Sequence, residues 1–233
     1  MADQAQVEMR MAAHLAEDML FNDKIFKAGV DFHSKMASEA YRVPLDKVKP
    51  EQRQAAKGVS FGLLYLMGDK ALAENTGLPA RAAAQFVKDY KAIMPGVMAW
   101  IEKTKQAVYT DRYVESLFGR KKRFPLIIKG RYGNLFELQR EGVNMPIQSS
   151  ASDLTLWHVV KLHDIFKEKY PQVKIVTLVH DSIIVECPDK LLYEIGALMK
   201  QVMETPPFKT QVPFKVDIKV GKRWGEEHDI DLT

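Results

Sequence analysis

Four side chains with complementary chemistry recur every four residues in the middle of the chain. They are Arg53, Lys57, Phe61 and Tyr65. Such a stripe follows one face of a helix, because four residues exceed a helical turn by only about 40°. It would rise about 18 Å, with two cations at one end for phosphates and two rings at the other for a base or sugar. The spacing predicts a nucleotide-binding face. The alternative is an amphipathic helix with its rings in a core and its cations in water.

Two aspartates stand at the ends of predicted strands, where a metal site could form. Asp3 lies at the end of a first short strand, and Asp181 lies in a turn between two β-rich runs. Mg²⁺ prefers hard oxygen ligands and takes one or two carboxylates. Two such ions about 3.5–4 Å apart can clamp the oxygens of a phosphoryl transfer. The pair predicts a catalytic metal site, although an isolated aspartate in a turn commonly only stabilises the turn.

A basic segment interrupted by aromatic residues spans residues 112–132. Its members are Arg112, Tyr113, Phe118, Arg120, Lys121, Lys122, Arg123, Phe124, Lys129, Arg131 and Tyr132. Cations interleaved with rings suit a nucleic-acid strand, through phosphate contacts and stacking. A solvated hairpin would show the same composition, and the sequence leaves both readings open.

Composition sets the broad class. The 233 residues are 46% hydrophobic and 27% charged, so nothing indicates a disordered or fibrous chain. The net charge of +4 suits a polyanionic partner, although many ordinary cytosolic proteins are equally basic. The single Cys187 excludes an internal disulfide framework. No apolar run reaches the ~18 residues of a membrane span, and the first residues do not resemble a signal peptide. We therefore expect a cytoplasmic protein without a membrane partner.

Hydrophobic periodicity places these features on elements. Helices are expected over residues 7–20, 50–66, 79–95, 96–109, 134–170 (broken around Pro146) and 191–203. Residues 113–125 are typical of a hairpin, and strands are expected over 174–179, 183–187 and 214–220. Strands near both ends bracket a helical middle, which predicts an α+β fold: a small mixed sheet with a mainly helical insertion. Asp3 and Asp181 could then meet on one sheet.

Five segments resemble motifs of DNA polymerase family A, the bacterial polymerase I type. Residues 2–10, ADQAQVEMR, resemble motif A, commonly written DYSQIELR. Residues 53–65 match motif B in an arginine, a lysine four residues on and a tyrosine eight further. Residues 179–182, VHDS, match motif C, usually VHDE. Residues 144–153 and 31–33 resemble the segments NAPMQGTAAD and DIH, and the blocks occur in the family's order over essentially the whole chain.

The resemblance implies a role for each matching residue. Asp3 and Asp181 would bind two catalytic Mg²⁺ ions. Arg53 and Lys57 would hold the triphosphate of an incoming dNTP, with His33 supporting its phosphates. Lys57 could also donate a proton to the pyrophosphate leaving group.

The remaining implied roles concern selectivity and DNA. Phe61 and Tyr65 would line the sugar and base pocket, and phenylalanine at 61 predicts discrimination against nucleotides without a 3′-hydroxyl. Glu8 would crowd a 2′-hydroxyl and so favour DNA over RNA synthesis. Primer–template DNA would be contacted by three further residues: Arg140 and Gln148 on the minor-groove side, and His180 near the primer end. The implied reaction is template-directed attack of a primer 3′-hydroxyl on the α-phosphate of a dNTP.

The chain departs from the family at four positions. Gln4 and Ala5 stand where tyrosine and serine are usual, and Leu66 replaces a glycine after motif B. Ser182 replaces the motif C glutamate and removes a carboxylate beside the metal site. Since both aspartates remain, these departures indicate tuning rather than inactivation.

The resemblance also implies an organisation into subdomains. Residues 1–13 and 128–233 would form part of the palm, and residues 14–127 the fingers. The family's thumb, and the palm strands before motif A, have no counterpart, so the strand of Asp3 is expected to leave sheet hydrogen bonds unpaired. We therefore expect an N-terminal polypeptide to supply these parts, as in a split polymerase of the kind a phage could encode. A truncated gene product is the competing explanation.

Two other functions remain open at this level. A single-subunit RNA polymerase has similar motifs, although Glu8 argues against it. A non-catalytic subunit that binds primer–template would fit the substitution at Ser182 and the missing thumb.

Overall fold

The structure is a computed structural model that describes residues 1–76, 80–125, 127, 135–230 and 232. The chain divides into two compact units. The first, called here the sheet unit, comprises Met1–Met11 and Ile147–Thr233; the second, the helical unit, is Ala12–Pro146. The predicted palm and fingers boundaries, after residues 13 and 127, name functional subdomains and stay a prediction.

The described residues form the following elements. The strands are β1 (Ala2–Gln4), β2 (Tyr113–Glu115), β3 (Lys121–Arg123), β4 (Lys174–Val179), β5 (Ser182–Glu186), β6 (Val216–Val220) and β7 (His228–Asp229). The helices are α1 (Val7–Leu15), α2 (Met19–Phe21), α3 (Phe32–Tyr41), α4 (Pro50–Leu64), α5 (Asp69–Thr76), α6 (Ala80–Ile93), α7 (Pro95–Thr110), α8 (Leu135–Lys169) and α9 (Leu192–Met203). A π-helical segment, Asn22–Lys27, follows α2.

The sheet unit is built on a five-stranded antiparallel sheet with the order β4-β5-β1-β6-β7. Its central strand is the short β1, where Ala2 pairs with Ile183 on one side and Ile218 on the other. The expectation that this strand would lack hydrogen-bond partners is therefore wrong for residues 2–4. Strand β6, from near the end of the chain, supplies the second partner.

The core of the sheet unit lies between one face of the sheet and parts of α8 and α9. Its buried members include Ala2, Ile183, Val216 and Ile218 from the strands, Leu162 and Phe166 from α8, and Ile195, Met199 and Met203 from α9. Ala2 and Gln4 are buried on β1 while Asp3 between them is not, because alternate strand residues face opposite sides. The core thus turns Asp3 to the other face of the sheet.

The helical unit packs around aromatic residues. The ring of Phe32 lies edge-on to Phe21 and Tyr90, with centroid distances of 5.2 and 5.9 Å. The Asp18 carboxylate joins α2 to α7, since it accepts hydrogen bonds from the backbone N–H of Phe21 (3.0 Å) and of Val97 (2.9 Å). This buried cap orients both helix N-termini.

The elements confirm the predicted α+β class with three instructive differences. The described strands of the five-stranded sheet pair only in antiparallel fashion, so the expectation of a mixed sheet is wrong. Helix α8 is continuous through Pro146, so the predicted break is wrong. A proline removes one N–H donor, and the bonds of neighbouring residues carry the helix past it. The first helix ends at Leu15 rather than near residue 20. It stops there because Glu17 adopts a left-handed backbone (φ 50°), and Asp18 then caps the next helix.

Some predictions fall on residues outside the described ones. They are the helix start at Pro79, the start at residue 134, and Lys129, Arg131 and Tyr132 of the basic segment. Among the helices that the structure describes, none is long and apolar enough to cross a membrane.

Candidate functional site

The two predicted metal-binding carboxylates are neighbours in the sheet unit. Asp3 lies on β1, and its cross-strand partner on β5 is Ser182. Asp181 directly precedes Ser182, in the turn between β4 and β5. Burial raises the pKa of Asp181, and the nearby negative charge of Asp3 raises it further. The two side chains share one electrostatic environment, and a bound cation would stabilise both in the charged form.

Ser182 is a direct partner of Asp3. Its buried hydroxyl donates a hydrogen bond to the Asp3 carboxylate. The residue that stands in place of the family's glutamate therefore brings no charge, and it fixes the orientation of the carboxylate that remains.

Gln4, the second departure from the family, ties the motif C turn to a helix. Its buried side-chain amide donates to the hydroxyl of Thr155 on α8 at 2.7 Å and lies 3.5 Å from the carbonyl oxygen of Asp181. Next to Asp181 in the turn, the exposed His180 adopts a left-handed backbone with φ 54°. Gln4 thus supports a turn whose backbone carries local strain.

Glu8 and Arg10 lie at the start of α1. Glu8 is half-buried in the first turn, and its charge contributes to raising the pKa of Asp181. Arg10 is buried and donates to the backbone carbonyls of Ala5 (2.8 Å) and Pro213. These bonds anchor the segment between Asp3 and Glu8.

The predicted stripe lies on α4 in the helical unit. Arg53, Lys57 and Phe61 are on the helix, and Tyr65 is its C-cap with φ −100°. Lys57 is exposed, whereas Arg53 and both rings are half-buried. Neither ring is enclosed in a core, which favours a binding face over a purely structural helix.

His33, on α3, belongs to the same region. It is 1% exposed, and its ring centroid is 5.4 Å from that of Phe61. Burial lowers the pKa of His33 to about 4; the charge of Asp31 opposes this, and Arg53 and Lys57 add to it. The ring is therefore neutral at pH 7. Neither ring nitrogen has a hydrogen-bond partner among the described residues, which is unusual for a buried polar group.

Arg53 forms a two-pronged ion pair with Asp31. Its Nε donates to Oδ1 and its Nη2 to Oδ2, each at 2.9 Å. Burial alone would raise the pKa of Asp31, but hydrogen bonds from Arg53 and Ser34 hold it below its usual range. Arg53, in the predicted stripe, is thus held in place by Asp31 of the 31–33 segment.

The basic segment contains the predicted hairpin, formed by β2 and β3. Tyr113 pairs with Arg123 and Glu115 with Lys121, and all four are exposed, while Val114 is buried. The ammonium of Lys121 lies 5.0 Å from the Tyr113 ring centroid and 3.2 Å from the Glu115 carboxylate. The outer face therefore presents an aromatic ring bordered by cations.

The last two predicted DNA contacts, Arg140 and Gln148, are exposed on α8. The structure groups Asp3, Glu8, Gln148, His180 and Asp181 in the sheet unit. It groups His33, Arg53, Lys57, Phe61, Tyr65 and Arg140 in the helical unit.

Within the described part of the chain, no group of three or more His, Cys, Asp or Glu side chains is arranged to hold a metal. The carboxylate pair is a minimal donor set, and it fits Mg²⁺, which completes its shell with water and phosphate.

Comparison with known proteins defines the family. The sequence pattern described as DNA polymerase family A matches residues 1–226, and the chain belongs to this family. It is 33% identical over 223 residues to DNA polymerase I of Bacillus caldotenax, a match that covers 96% of this chain and 25% of that protein. It is 35% identical to the thermostable DNA polymerase I of Thermus thermophilus, over 95% of this chain and 26% of that protein.

A solved structure agrees. The polymerase domain of Pol1 from M. smegmatis, in complex with DNA primer–template and dNTP, has a TM-score of 0.82 and 28% identity to this chain. The match covers 92% of this chain and 38% of that one. The chain therefore spans about a quarter of the length of the curated relatives it matches.

Sequence reasoning missed two partners of the site. Asp31 was recognised only as part of a motif, and its spacing of 22 residues from Arg53 carries no periodic signal. Thr155 is an ordinary threonine within a helix, and nothing in the sequence indicates that it contacts Gln4. The role of Asp31 could have been anticipated in part, because a carboxylate directly before a helix is typical of an N-cap.

Proposed function

We propose that this chain is the catalytic, C-terminal part of a DNA-directed DNA polymerase, which extends a primer by template-directed nucleotidyl transfer. The observation that carries the proposal is the carboxylate pair formed by Asp3 on β1 and Asp181 in the adjoining β4–β5 turn, in a chain of DNA polymerase family A. The M. smegmatis relative, a complex with primer–template and dNTP, supports the same two ligands here.

Two Mg²⁺ ions are the proposed cofactors. Asp3 and Asp181 offer hard oxygen donors, and their mutual repulsion is of the kind that a bound cation relieves. When bound, the ions would stabilise the charge on the attacking and leaving oxygens. The protein's own contribution is orientation: Ser182 holds the Asp3 carboxylate, and Gln4 supports the backbone of Asp181.

The stripe on α4 is the proposed nucleotide-binding face. Arg53 and Lys57 would bind the triphosphate, and Phe61 and Tyr65 would contact the base and sugar. The neutral ring of His33 can donate one N–H to a phosphate oxygen, which would satisfy a nitrogen that has no partner in the described protein. Lys57, exposed on α4, is the proposed proton donor to the leaving pyrophosphate.

Glu8 is the proposed filter for the sugar. Its position in the first turn of α1, anchored by Arg10, would hold a carboxylate against a 2′-hydroxyl and favour deoxynucleotides. Primer–template DNA would be contacted by the exposed residues Arg140, Gln148 and His180.

Polypeptide N-terminal to residue 1, in the same chain or in a separate one, is the proposed source of the thumb and the rest of the palm. This part of the proposal rests on the chain's match to only about a quarter of its relatives' length. We call the chain together with that polypeptide the assembled polymerase.

The test separates synthesis from DNA binding. In the assembled polymerase, Asp3→Ala and Asp181→Ala should each reduce primer extension by more than about a hundredfold, because each removes a metal ligand. Fluorescence anisotropy with labelled primer–template should show affinities within about threefold of wild type. Asp164→Ala, at an exposed carboxylate on α8, is the matched control and should change neither quantity. Full extension by either site variant would refute the proposed metal site.

A further inference from the structure

The Asp31–Arg53 ion pair differs in geometry from the exposed ion pairs around it. The carboxylate binds the edge of the guanidinium formed by Nε and Nη2, with both distances at 2.9 Å. This arrangement uses two of the five N–H groups of arginine and fixes the plane of the remaining three. Lysine could not be held in this way, because its ammonium has no planar fork.

Asp31 is itself held in place. It is the N-cap of α3, and its Oδ1 accepts the backbone N–H of Ser34 at 2.7 Å while also accepting Arg53. Asp31 therefore fixes the orientation of the Arg53 guanidinium relative to the backbone of α3. The Lys35–Glu39 pair on the same helix makes one contact of 2.6 Å between flexible exposed side chains and fixes no such plane.

The surroundings of this pair suit an anion. Lys57 follows Arg53 by one helical turn on α4, and the positive charges of both act on His33. His33 is neutral, buried and without a hydrogen-bond partner for either ring nitrogen among the described residues. A phosphate group would meet two cations and one neutral N–H donor here, with Asp31 directly bound to one of the cations.

We infer that Asp31 is a positioning residue for the triphosphate of the incoming nucleotide, acting by holding the Arg53 guanidinium in a fixed plane. The inference rests on the proposed function. Arg53 then reaches its binding orientation before the nucleotide arrives, so that less conformational freedom is lost on binding. The alternative is competition, in which the Asp31 carboxylate occupies N–H donors that a phosphate would otherwise bind. Competition would weaken nucleotide binding, whereas positioning strengthens it.

The experiment compares Asp31→Asn, Asp31→Glu and Glu39→Gln in the assembled polymerase. Asp31→Asn keeps the shape and removes the charge, and we expect KM for dNTP to rise about tenfold, with kcat and primer–template affinity within about threefold. Asp31→Glu should recover part of the loss, since it restores the carboxylate. Glu39→Gln breaks the exposed pair on α3 and should leave KM unchanged.

A double-mutant cycle makes the assignment specific. In an Arg53→Ala background, Asp31→Asn should raise KM by less than about twofold, because its effect passes through the missing guanidinium. The inference is overturned if Asp31→Asn lowers KM, which would indicate competition. It is also overturned if that variant lowers only the thermal midpoint, or raises KM equally without Arg53.

A binding measurement separates this inference from the proposed function. Isothermal titration with dNTP, in the absence of primer, should show about tenfold weaker binding to Asp31→Asn. If wild type and variant differ in this way but neither extends a primer, the role of Asp31 stands and the polymerase proposal fails. If both extend a primer and bind dNTP equally, the polymerase proposal stands and the role of Asp31 fails.

Discussion

At the scale of single residues, two side chains that depart from the family's motifs make defined contacts of their own. Ser182 removes a carboxylate but donates its hydroxyl to Asp3, and Gln4 replaces a tyrosine but ties the motif C turn to Thr155. Both side chains are buried. The sequence alone showed which side chains were replaced at these positions. It could not show their hydrogen-bond partners, because these depend on strand register.

The Ser182 hydroxyl should tune metal affinity. Ser182→Ala leaves the Asp3 carboxylate without an orienting donor, and partners of this kind typically contribute 10- to 100-fold in metal affinity or activity. We expect the Mg²⁺ concentration for half-maximal primer extension to rise about tenfold, with near-normal rates at saturating Mg²⁺. Direct Mn²⁺ binding, followed by electron paramagnetic resonance, should weaken in parallel.

The control for this prediction is Ser152→Ala, at an exposed serine on α8. An unchanged Mg²⁺ requirement in Ser182→Ala would mean that the hydrogen bond to Asp3 has no role in positioning the carboxylate.

At the scale of elements, the end of α4 shows how a structure can persist without its usual residue. Leu66 has φ 68°, a left-handed conformation that normally favours glycine. Glycine is also the residue that commonly follows the motif B tyrosine. The backbone N–H of Met67 bonds to the carbonyl of Gly62 at 2.7 Å, and that of Leu66 bonds to Leu63 at 3.2 Å. These two bonds form a Schellman motif, so the helix ends in the standard way despite a leucine.

Substitutions on the outer face of the β2–β3 hairpin can separate the two readings of the basic segment. Its outer face combines the exposed ring of Tyr113 with Arg123 directly opposite. We expect Tyr113→Ala and Arg123→Glu each to weaken binding of a single-stranded oligonucleotide about three- to tenfold at 0.1 M salt. Arg123→Glu should also reduce the dependence of affinity on salt.

Exposed residues on other elements provide the controls for the hairpin. Tyr193→Ala and Lys167→Glu remove a comparable ring and charge from α9 and α8. If the hairpin variants weaken binding no more than these controls, the solvated-hairpin reading is correct.

At the scale of the whole molecule, periodicity and motifs predicted the fold class, most helices, the hairpin and the two strands around Asp181. The length of α8 was not predictable, because a proline inside a helix is tolerated when neighbouring residues keep their bonds. The pairing of β1 was missed for a related reason. Three residues contain too little pattern to identify two partners that lie about 180 and 215 positions away.

The acid stability of the chain should depend on two buried histidines. Burial lowers the pKa of His33 and of His158 to about 4, from an ordinary value of 6.5. Since the unfolded chain binds these protons at higher pH than the folded one, their contribution to stability is full above about pH 6.5 and declines as the pH falls towards 4. Each should account for about 1–2 kcal/mol of the stability lost between pH 7 and pH 5.

Urea unfolding at pH 7 and pH 5 measures this effect. His33→Gln and His158→Gln should each lose less stability over that interval than wild type. His163→Gln, at an exposed histidine on α8, should behave as wild type. Equal losses in all four proteins would show that neither buried ring resists protonation.

The central claim is that this chain holds the catalytic centre of a DNA polymerase, and primer extension tests it most directly. The assay uses a labelled hairpin primer, Mg²⁺ and dNTPs, with this chain alone and with the proposed N-terminal polypeptide. Our account predicts that the assembled polymerase extends the primer according to the template, and that Asp181→Ala abolishes the extension. A folded complex that binds primer–template but adds no nucleotide would contradict the account and identify the chain as a binding subunit.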